Sequence, residues 1–192
     1  MVFNLSLMDR RRRFRFYALK LCGIMFIIFL IQLFFSSFTD LFLLNSNAFV
    51  QIWRFVTAIF LHGGLPHLLY NIFALALFGS MLERMIGSRR FLIVFFVTGI
   101  LANIISVNFY DSSLGASGAI FGVIGALVVI RPLMFIFAFG FPMPLFVAGI
   151  ILAAGDLIGL FVPSNTANLA HLSGMFFGLV LGFIYRRKAL KF

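Results

Sequence analysis

Six apolar segments, each close to the length of a membrane-spanning helix, constrain this chain more than any other feature. They cover approximately residues 17–36, 65–83, 91–109, 115–131, 142–160 and 168–185. A helix needs about 20 predominantly apolar residues to cross the hydrocarbon core of a bilayer. The breaks between segments contain turn-forming residues such as Gly87-Ser88 and Pro163-Ser164. We therefore predict an all-α polytopic membrane protein in which residues 1–192 form one domain.

The composition agrees with a membrane protein. Of the 192 residues, 63% are hydrophobic and 10% are charged, whereas charged residues make up about a quarter of a soluble domain. A net charge of +10 would suggest nucleic-acid binding in a soluble protein, but here the basic residues flank apolar segments. We expect the lipid bilayer, and no nucleic acid, as a partner. The single cysteine, Cys22, excludes an intramolecular disulfide and a cysteine-rich metal site.

The basic residues also predict the orientation of the chain. Fourteen of the 15 Lys and Arg residues lie before or early in the first segment, in the even-numbered loops or in the tail, and the exception is Arg54. Because cytoplasmic loops are enriched in Lys and Arg, we expect both termini in the cytoplasm. This prediction gives a basic cytoplasmic N-terminus at 1–16, a six-helix core at 17–186 and a cytoplasmic tail at 187–192. The first segment is too long for a signal-peptide core and lacks an A-x-A site, so we expect it to remain as an anchor.

Polar side chains inside apolar segments indicate where function lies, because they cost free energy in hydrocarbon unless they face the protein interior. They are His67, Asn71, Asn103, Ser117, Asp156 and His171. Counting from the arginine that ends each segment places Asn71, Ser117 and His171 roughly 20 to 22 Å from the cytoplasmic end. His67 lies one turn further out on the same face as Asn71.

A hydroxyl, an imidazole and an amide at one depth are the parts of a nucleophile, a general base and an oxyanion donor. Taken singly, an intramembrane Ser or His is more often an interhelical hydrogen-bonding residue. Ser117 begins its segment, where unpaired backbone N–H groups suit a developing oxyanion. Small residues allow two helices to approach closely enough for a Ser–His hydrogen bond, and glycines occur at 118, 122, 174, 178 and 182.

Five motifs together resemble the rhomboid family of intramembrane serine proteases, from residue 53 to the tail. They are Trp53-Arg54, His62-x4-His67-x3-Asn71, Glu83-x3-Gly87, Gly115-Ala116-Ser117-Gly118 and Ala170-His171-x2-Gly174. The resemblance implies a rhomboid-like bundle of six transmembrane helices. It also implies a serine endopeptidase that hydrolyses peptide bonds in or near the transmembrane segments of other membrane proteins, without a cofactor or a metal. We expect a multi-pass protein of a prokaryotic plasma membrane.

The same resemblance implies a role for each motif residue. Ser117 and His171 form a catalytic dyad that opens to the extracytoplasmic side, and His67 and Asn71 donate to the oxyanion together with the Ser117 N–H. The residues with structural roles are Trp53, Arg54, His62, Glu83, Gly115, Gly118, Phe121 and Gly174. The fifth segment and the loop before the sixth are expected to gate lateral entry of the substrate.

Two residues need separate comment. Phe121 stands where a rhomboid protease often has Tyr, so an aromatic ring is available to pack against His171 but a hydroxyl contact is lost. Asp156 is an obvious candidate for a third catalytic residue. The resemblance implies a dyad, and a carboxylate near a helix end is expected to be solvated or paired. We therefore do not include Asp156 among the catalytic residues.

Other functions fit the sequence less well. A zinc protease needs an H-E-x-x-H motif, which is absent, and an aspartyl mechanism needs two intramembrane aspartates. A transporter or channel whose His and Asn residues line a pathway remains an alternative. A non-catalytic relative that only binds membrane segments is another.

Overall fold

The computed structural model describes residues 14–162 and 166–189, and these residues form a bundle of helices. The helices are α1 Tyr17–Phe34, α2 Ser36–Phe42, α3 Arg54–Thr57, α4 Leu65–Ile86, α5 Ser88–Ser106, α6 Ser117–Ile130, α7 Leu145–Gly159 and α8 Asn168–Ala189. Short 3₁₀ turns cover Ser46–Phe49 and Ala58–Phe60, and a π-helical turn at Leu75–Gly79 lies within α4. The strands are β1 Leu44–Asn45, β2 Ser112–Ser113, β3 Phe135–Ala138 and β4 Phe141–Pro144. The predicted helical membrane fold is confirmed.

Helix lengths divide the bundle into two groups. Four helices, α1, α4, α5 and α8, are long and apolar enough to cross a membrane. The apolar helices α6 and α7 have 14 and 15 residues, which corresponds to about 21 to 23 Å, less than the roughly 30 Å hydrocarbon core. Six spans therefore remain a prediction.

The fifth segment begins later than predicted because a β-hairpin replaces its first residues. β3 pairs antiparallel with β4, with Ala138 opposite Phe141. The two residues between them, Phe139 and Gly140, both have positive φ, as a tight hairpin turn with the natural strand twist requires. Pro142 and Pro144 cannot donate the backbone hydrogen bonds of a helix interior, so α7 begins only at residue 145.

A small layer of short elements covers the end of the bundle at which α6 begins. Arg54 is 5% exposed, and its Nη1 donates to the carbonyl oxygens of Asp40 and Leu43 at 2.9 and 2.7 Å. Asn103 on α5 donates from Nδ2 to the Phe55 carbonyl oxygen at 2.9 Å. These bonds give three backbone carbonyls of the 37–64 connection a partner, so the connection is a folded layer fixed to α5.

Glu83 connects three helices at the end of the bundle opposite to the start of α6. It is fully buried, and its carboxylate accepts hydrogen bonds from the backbone N–H groups of Arg15, Tyr17 and Ala18 and from the Ser88 hydroxyl. The first N–H groups of a helix have no partner within the helix, and they favour a negative charge. Glu83 on α4 therefore caps α1 and holds it against the start of α5.

Helix α6 occupies the centre of the bundle and meets α8 backbone to backbone. Eleven of its 14 residues are buried, which is typical of a helix that is apolar on all sides. A Cβ atom added at Gly174 would clash with the carbonyl oxygen of Gly118, and one added at Gly178 would clash with that of Gly122. The two helices can approach this closely only because glycines face each other.

We expect Gly178→Ala to destabilise the protein by about 1 to 3 kcal/mol, because the new methyl group must push α8 away from the Gly122 backbone. The measurement is the thermal unfolding midpoint in detergent. Gly23→Ala in α1 is the matched control, since nothing lies within 4 Å of a Cβ atom there. Equal midpoints for the two variants would contradict backbone contact between α6 and α8.

Candidate active site

Two backbone contacts place Ser117 at the first position of α6. The loop before it is held by the pairing of β2 with β1, in which Ser113 lies opposite Leu44. Gly115 donates its N–H to the Ala58 carbonyl oxygen at 2.9 Å and has φ +123, a conformation that favours glycine. The chain then turns directly into the helix, so the Ser117 side chain lies at the end of α6 beside unpaired N–H groups.

His171 on α8 lies beside this serine. Its Nε2 is 2.7 Å from the Ser117 Oγ. The imidazole also stacks on the Phe121 ring, with 4.3 Å between ring centroids and an interplanar angle of 11°. The close approach of α6 and α8 and the stacked phenyl ring thus hold the imidazole next to the hydroxyl.

Asp156 contacts the other nitrogen of the same imidazole. Its Oδ1 lies 2.9 Å from the His171 Nδ1, and both side chains are largely buried, with 9% and 12% exposed. The family resemblance implied a dyad without Asp156, whereas the structure brings Asp156 into direct contact with His171. In the sequence, Asp156 stands out as a lone aspartate inside an apolar segment. Its distance from His171, however, depends on how α7 packs against α8.

This contact favours one of the two neutral tautomers of His171, the one with its proton on Nδ1. A carboxylate oxygen accepts hydrogen bonds, so the Nδ1–H donates to Asp156. The Nε2 then has a free lone pair, which accepts the hydrogen bond from the Ser117 hydroxyl. This is the tautomer that a general base next to a serine nucleophile requires.

His67 and Asn71 lie on α4, near the serine. The Gly63 N–H donates to the His67 Nδ1 at 3.4 Å, which leaves the proton on Nε2. A Cβ atom at Gly115 would lie 2.8 Å from this Nε2 and 3.9 Å from the Ser117 Oγ. Asn71 is 5% exposed, and its Nδ2 donates to the His67 carbonyl oxygen at 2.8 Å. His67 thus presents an N–H donor close to the serine.

A cavity of about 1070 Å³ connects these residues, since His67, Asn71, Ser117 and His171 all line it. Its wall also includes residues of α4, α6 and α7 and of the loop before Ser117. The volume lies at the upper end of the range for ligand-binding pockets. The site is therefore a large concave space that is lined by a hydroxyl, two imidazoles and an amide.

Part of this cavity lies between α4 and α7. Phe73 and Phe78 on α4 and Leu152 on α7 line it there. Phe73 lines the cavity and is also largely exposed, and the bilayer would surround the exposed surface of a membrane protein. The cavity therefore borders the lipid-facing side of the bundle.

His62 packs against His67, and its backbone is held by Gln32, a residue that was not predicted to have a role. The Gln32 Oε1 accepts from the His62 N–H at 3.0 Å, and the Gln32 Nε2 donates to the His62 carbonyl oxygen at 3.2 Å. The His62 ring packs edge-on against the His67 ring, with centroids 5.1 Å apart. Gln32 on α1 thereby positions the loop before α4. A polar side chain inside an apolar segment is the sequence feature that could have indicated this role.

We expect stability to fall in acid because of His62. Burial, with a smaller effect of His67, lowers the His62 pKa from 6.5 to about 4. Since the unfolded chain binds this proton near pH 6.5 and the folded one near pH 4, stability is lost as pH falls through that window, by about 3 kcal/mol at most. The measurement is the unfolding midpoint between pH 7 and 4.5. His62→Gln should flatten this dependence, and an unchanged slope would contradict the assignment.

Within residues 14–162 and 166–189, no group of three or more His, Cys, Asp or Glu side chains is placed to hold a metal ion. The groups that the site presents are a hydroxyl, two imidazoles, an amide and a carboxylate. This set is suited to acid–base and nucleophilic chemistry.

Comparison with known proteins identifies the family. The family profile described as Rhomboid domain matches residues 50–188. The putative rhomboid protease YdcA of Bacillus subtilis is 36% identical over 144 residues, which cover 71% of this chain and 68% of that protein. The rhomboid protease GlpG of Haemophilus influenzae is 31% identical over 141 residues, which cover 70% of each chain.

A third relative is much longer than this chain. The rhomboid protease GluP of Bacillus subtilis is 39% identical over 132 residues, but the match covers only 24% of that protein and 66% of this chain. The similarity to that relative is therefore limited to part of its length. The match over most of the chain and the identity to these relatives show that the chain belongs to the rhomboid family.

Proposed function

We propose that this chain is an intramembrane serine endopeptidase that cleaves other membrane proteins in or near their transmembrane segments. The observation that carries the proposal is the 2.7 Å contact between the Ser117 Oγ and the His171 Nε2, in the wall of a large cavity. Three relatives named as rhomboid proteases, or as a putative one, support it.

In the proposed acylation, the Ser117 Oγ attacks the carbonyl carbon of the scissile peptide bond while its proton passes to the His171 Nε2. The carbonyl oxygen becomes an oxyanion, which accepts hydrogen bonds from the His67 Nε2–H, the Asn71 amide and the Ser117 N–H. As the C–N bond breaks, the proton on Nε2 passes to the leaving amine.

Deacylation follows the same steps with water as the nucleophile. A water molecule attacks the ester carbonyl carbon and gives one proton to the His171 Nε2. The tetrahedral intermediate then collapses, the ester C–O bond breaks, and the Nε2 proton returns to the Ser117 Oγ. The products are a new carboxyl terminus, a new amino terminus and the free enzyme.

The proposed substrate is a transmembrane segment that has locally unwound. A membrane helix satisfies its backbone internally, so a carbonyl is available for attack only where that helix is interrupted. Small residues at the cut and helix-weakening residues beyond it are expected. Because the cavity borders the lipid-facing side between α4 and α7, substrate enters there from the bilayer.

The proposal includes the topology. The distribution of Lys and Arg supports six spans at 17–186, with the stretches 1–16 and 187–192 and both termini in the cytoplasm. The proposed location is the plasma membrane of a prokaryotic cell. Ser117 and His171 then lie toward the extracytoplasmic side, from which water reaches the site. No cofactor or metal is part of the proposed mechanism.

The test is cleavage of a purified single-pass membrane protein in proteoliposomes by the wild type, Ser117→Ala and His171→Ala. We expect two fragments from the wild type only. Absence of cleavage by the wild type, or equal cleavage by Ser117→Ala, would overturn the proposal. Binding of the substrate without cleavage would favour a non-catalytic relative. Solute flux that is lost in His67→Ala but kept in Ser117→Ala would favour a transporter.

A further inference from the structure

Asp156 lies on the opposite edge of the His171 imidazole from Ser117. The carboxylate contacts Nδ1 at 2.9 Å, and the serine contacts Nε2 at 2.7 Å. We propose that Asp156 is a positioning residue, which keeps the His171 Nε2 lone pair directed at Ser117. Three residues, Asp156, His171 and Ser117, then act together in this site. The inference rests on the proposed function, because it assigns Asp156 a part in the same reaction.

The surroundings of the carboxylate favour this role over that of a helix-joining residue. Asp156 is buried, and among the described residues its Oδ2 is buried without a hydrogen-bond partner. A buried carboxylate costs free energy unless it is paired. Here the pairing shown is with a single imidazole, and an apolar side chain would join α7 to α8 at lower cost. The hydrogen bond to His171 therefore accounts for a carboxylate at position 156.

Stacking on Phe121 does not fix the rotation of the His171 ring within its own plane, and Asp156 can fix it. A phenyl ring parallel to the imidazole fixes the plane of His171, but it makes no hydrogen bond within that plane. A flip of the imidazole would exchange Nδ1 and Nε2 with ring carbons while keeping the stacking. A hydrogen bond from Nδ1–H to Asp156 opposes the flip and selects the tautomer.

The proposal predicts a loss of turnover with little loss of substrate binding. Asp156→Asn keeps the size of the side chain, but its amide can donate to Nδ1 and so favour the wrong tautomer. We expect kcat to fall by about 10²-fold to 10⁴-fold, while KM changes by less than about threefold, as for an interaction that acts in the transition state. Asp156→Glu retains a carboxylate and should recover part of the loss.

The matched control is Glu83→Gln, a similar chemical change at the other buried carboxylate of the described residues, which caps helices at the opposite end of the bundle. We expect it to lower the unfolding midpoint and leave kcat per folded molecule unchanged. A structural role for Asp156 would give the same pattern in Asp156→Asn. That pattern, or a kcat within twofold of the wild type, would overturn the proposal.

A second readout does not depend on proteolysis. In protein with ¹⁵N-labelled histidine, the proton of His171 should lie on Nδ1 in the wild type and move toward Nε2 in Asp156→Asn. A tautomer that is the same in both proteins would also overturn the proposal. If the wild type shows the expected tautomer but cleaves nothing, the proposed function fails while the role of Asp156 in positioning His171 stands.

Discussion

Ser117→Ala should reduce kcat for cleavage of a transmembrane substrate by at least about 10⁴-fold. The substitution removes the atom that forms the acyl-enzyme in the proposed mechanism, so His171 has no hydroxyl to deprotonate. His171→Ala should cost about as much, since a serine without a base is a weak nucleophile. Because the two act as one unit, the double variant should be no slower than either single variant. The measurement is the rate of fragment formation at saturating substrate.

Ser173→Ala is the matched control for the loss of a buried hydroxyl. Ser173 lies on α8 two residues from His171 and donates to the Ala170 carbonyl oxygen at 3.1 Å. This hydrogen bond lies within α8, and a bond of this kind contributes about 1 kcal/mol to stability. We therefore expect Ser173→Ala to affect stability and to leave kcat within about twofold of the wild type. A multiplicative loss in the Ser117 and His171 double variant would show that the two residues act independently, contrary to the proposal.

His67→Ala and Asn71→Ala should each lower kcat by about 10²-fold to 10³-fold, with smaller effects on KM. Each substitution removes a donor that meets the oxyanion only once negative charge has developed. Both side chains line the cavity with Ser117, and the His67 Nε2 is available as a donor. The measurement is kcat and KM for the same transmembrane substrate.

Asn108→Ala serves as the control for Asn71→Ala. Asn108 is exposed, and its Nδ2 donates to the Ile104 carbonyl oxygen at 2.8 Å, so both asparagines bond to the carbonyl four residues earlier. We expect no change in kcat for Asn108→Ala. A rise in KM with unchanged kcat in His67→Ala and Asn71→Ala would assign them to substrate binding and contradict the oxyanion role.

The sequence predicts much of the fold because membrane helices follow from apolar length alone. The ends of α1, α5 and α8 lie within a few residues of the prediction. Counting residues along three helices placed Ser117, His171 and Asn71 at one depth, and the structure brings all three to the wall of one cavity. Depth is accessible from sequence because each of these helices has a basic residue near one end, which is predicted to be cytoplasmic, and rises by a constant step.

The remaining features depend on how the helices are rotated and packed, which an apolar sequence does not determine. The pairing of Asp156 with His171 requires α7 to lie against α8 with one particular face inward. Helix α7 is apolar on nearly all sides, so no polar stripe identifies that face. The hairpin at 135–144 was missed because the prediction treated 132–141 as a connection between the fourth and fifth segments and began the fifth segment at residue 142. Gln32 contacts a loop that lies 30 residues further along the chain.

The most direct test of the central claim is to locate the nucleophile chemically. The purified protein is treated with a fluorophosphonate, which reacts with activated serine hydroxyls, and the adduct is mapped by mass spectrometry while cleavage of a transmembrane substrate is followed. We predict a single adduct on Ser117, with cleavage falling in proportion to labelling, and no adduct in His171→Ala. An adduct on another serine, or full cleavage by protein that is labelled at Ser117, would contradict the account.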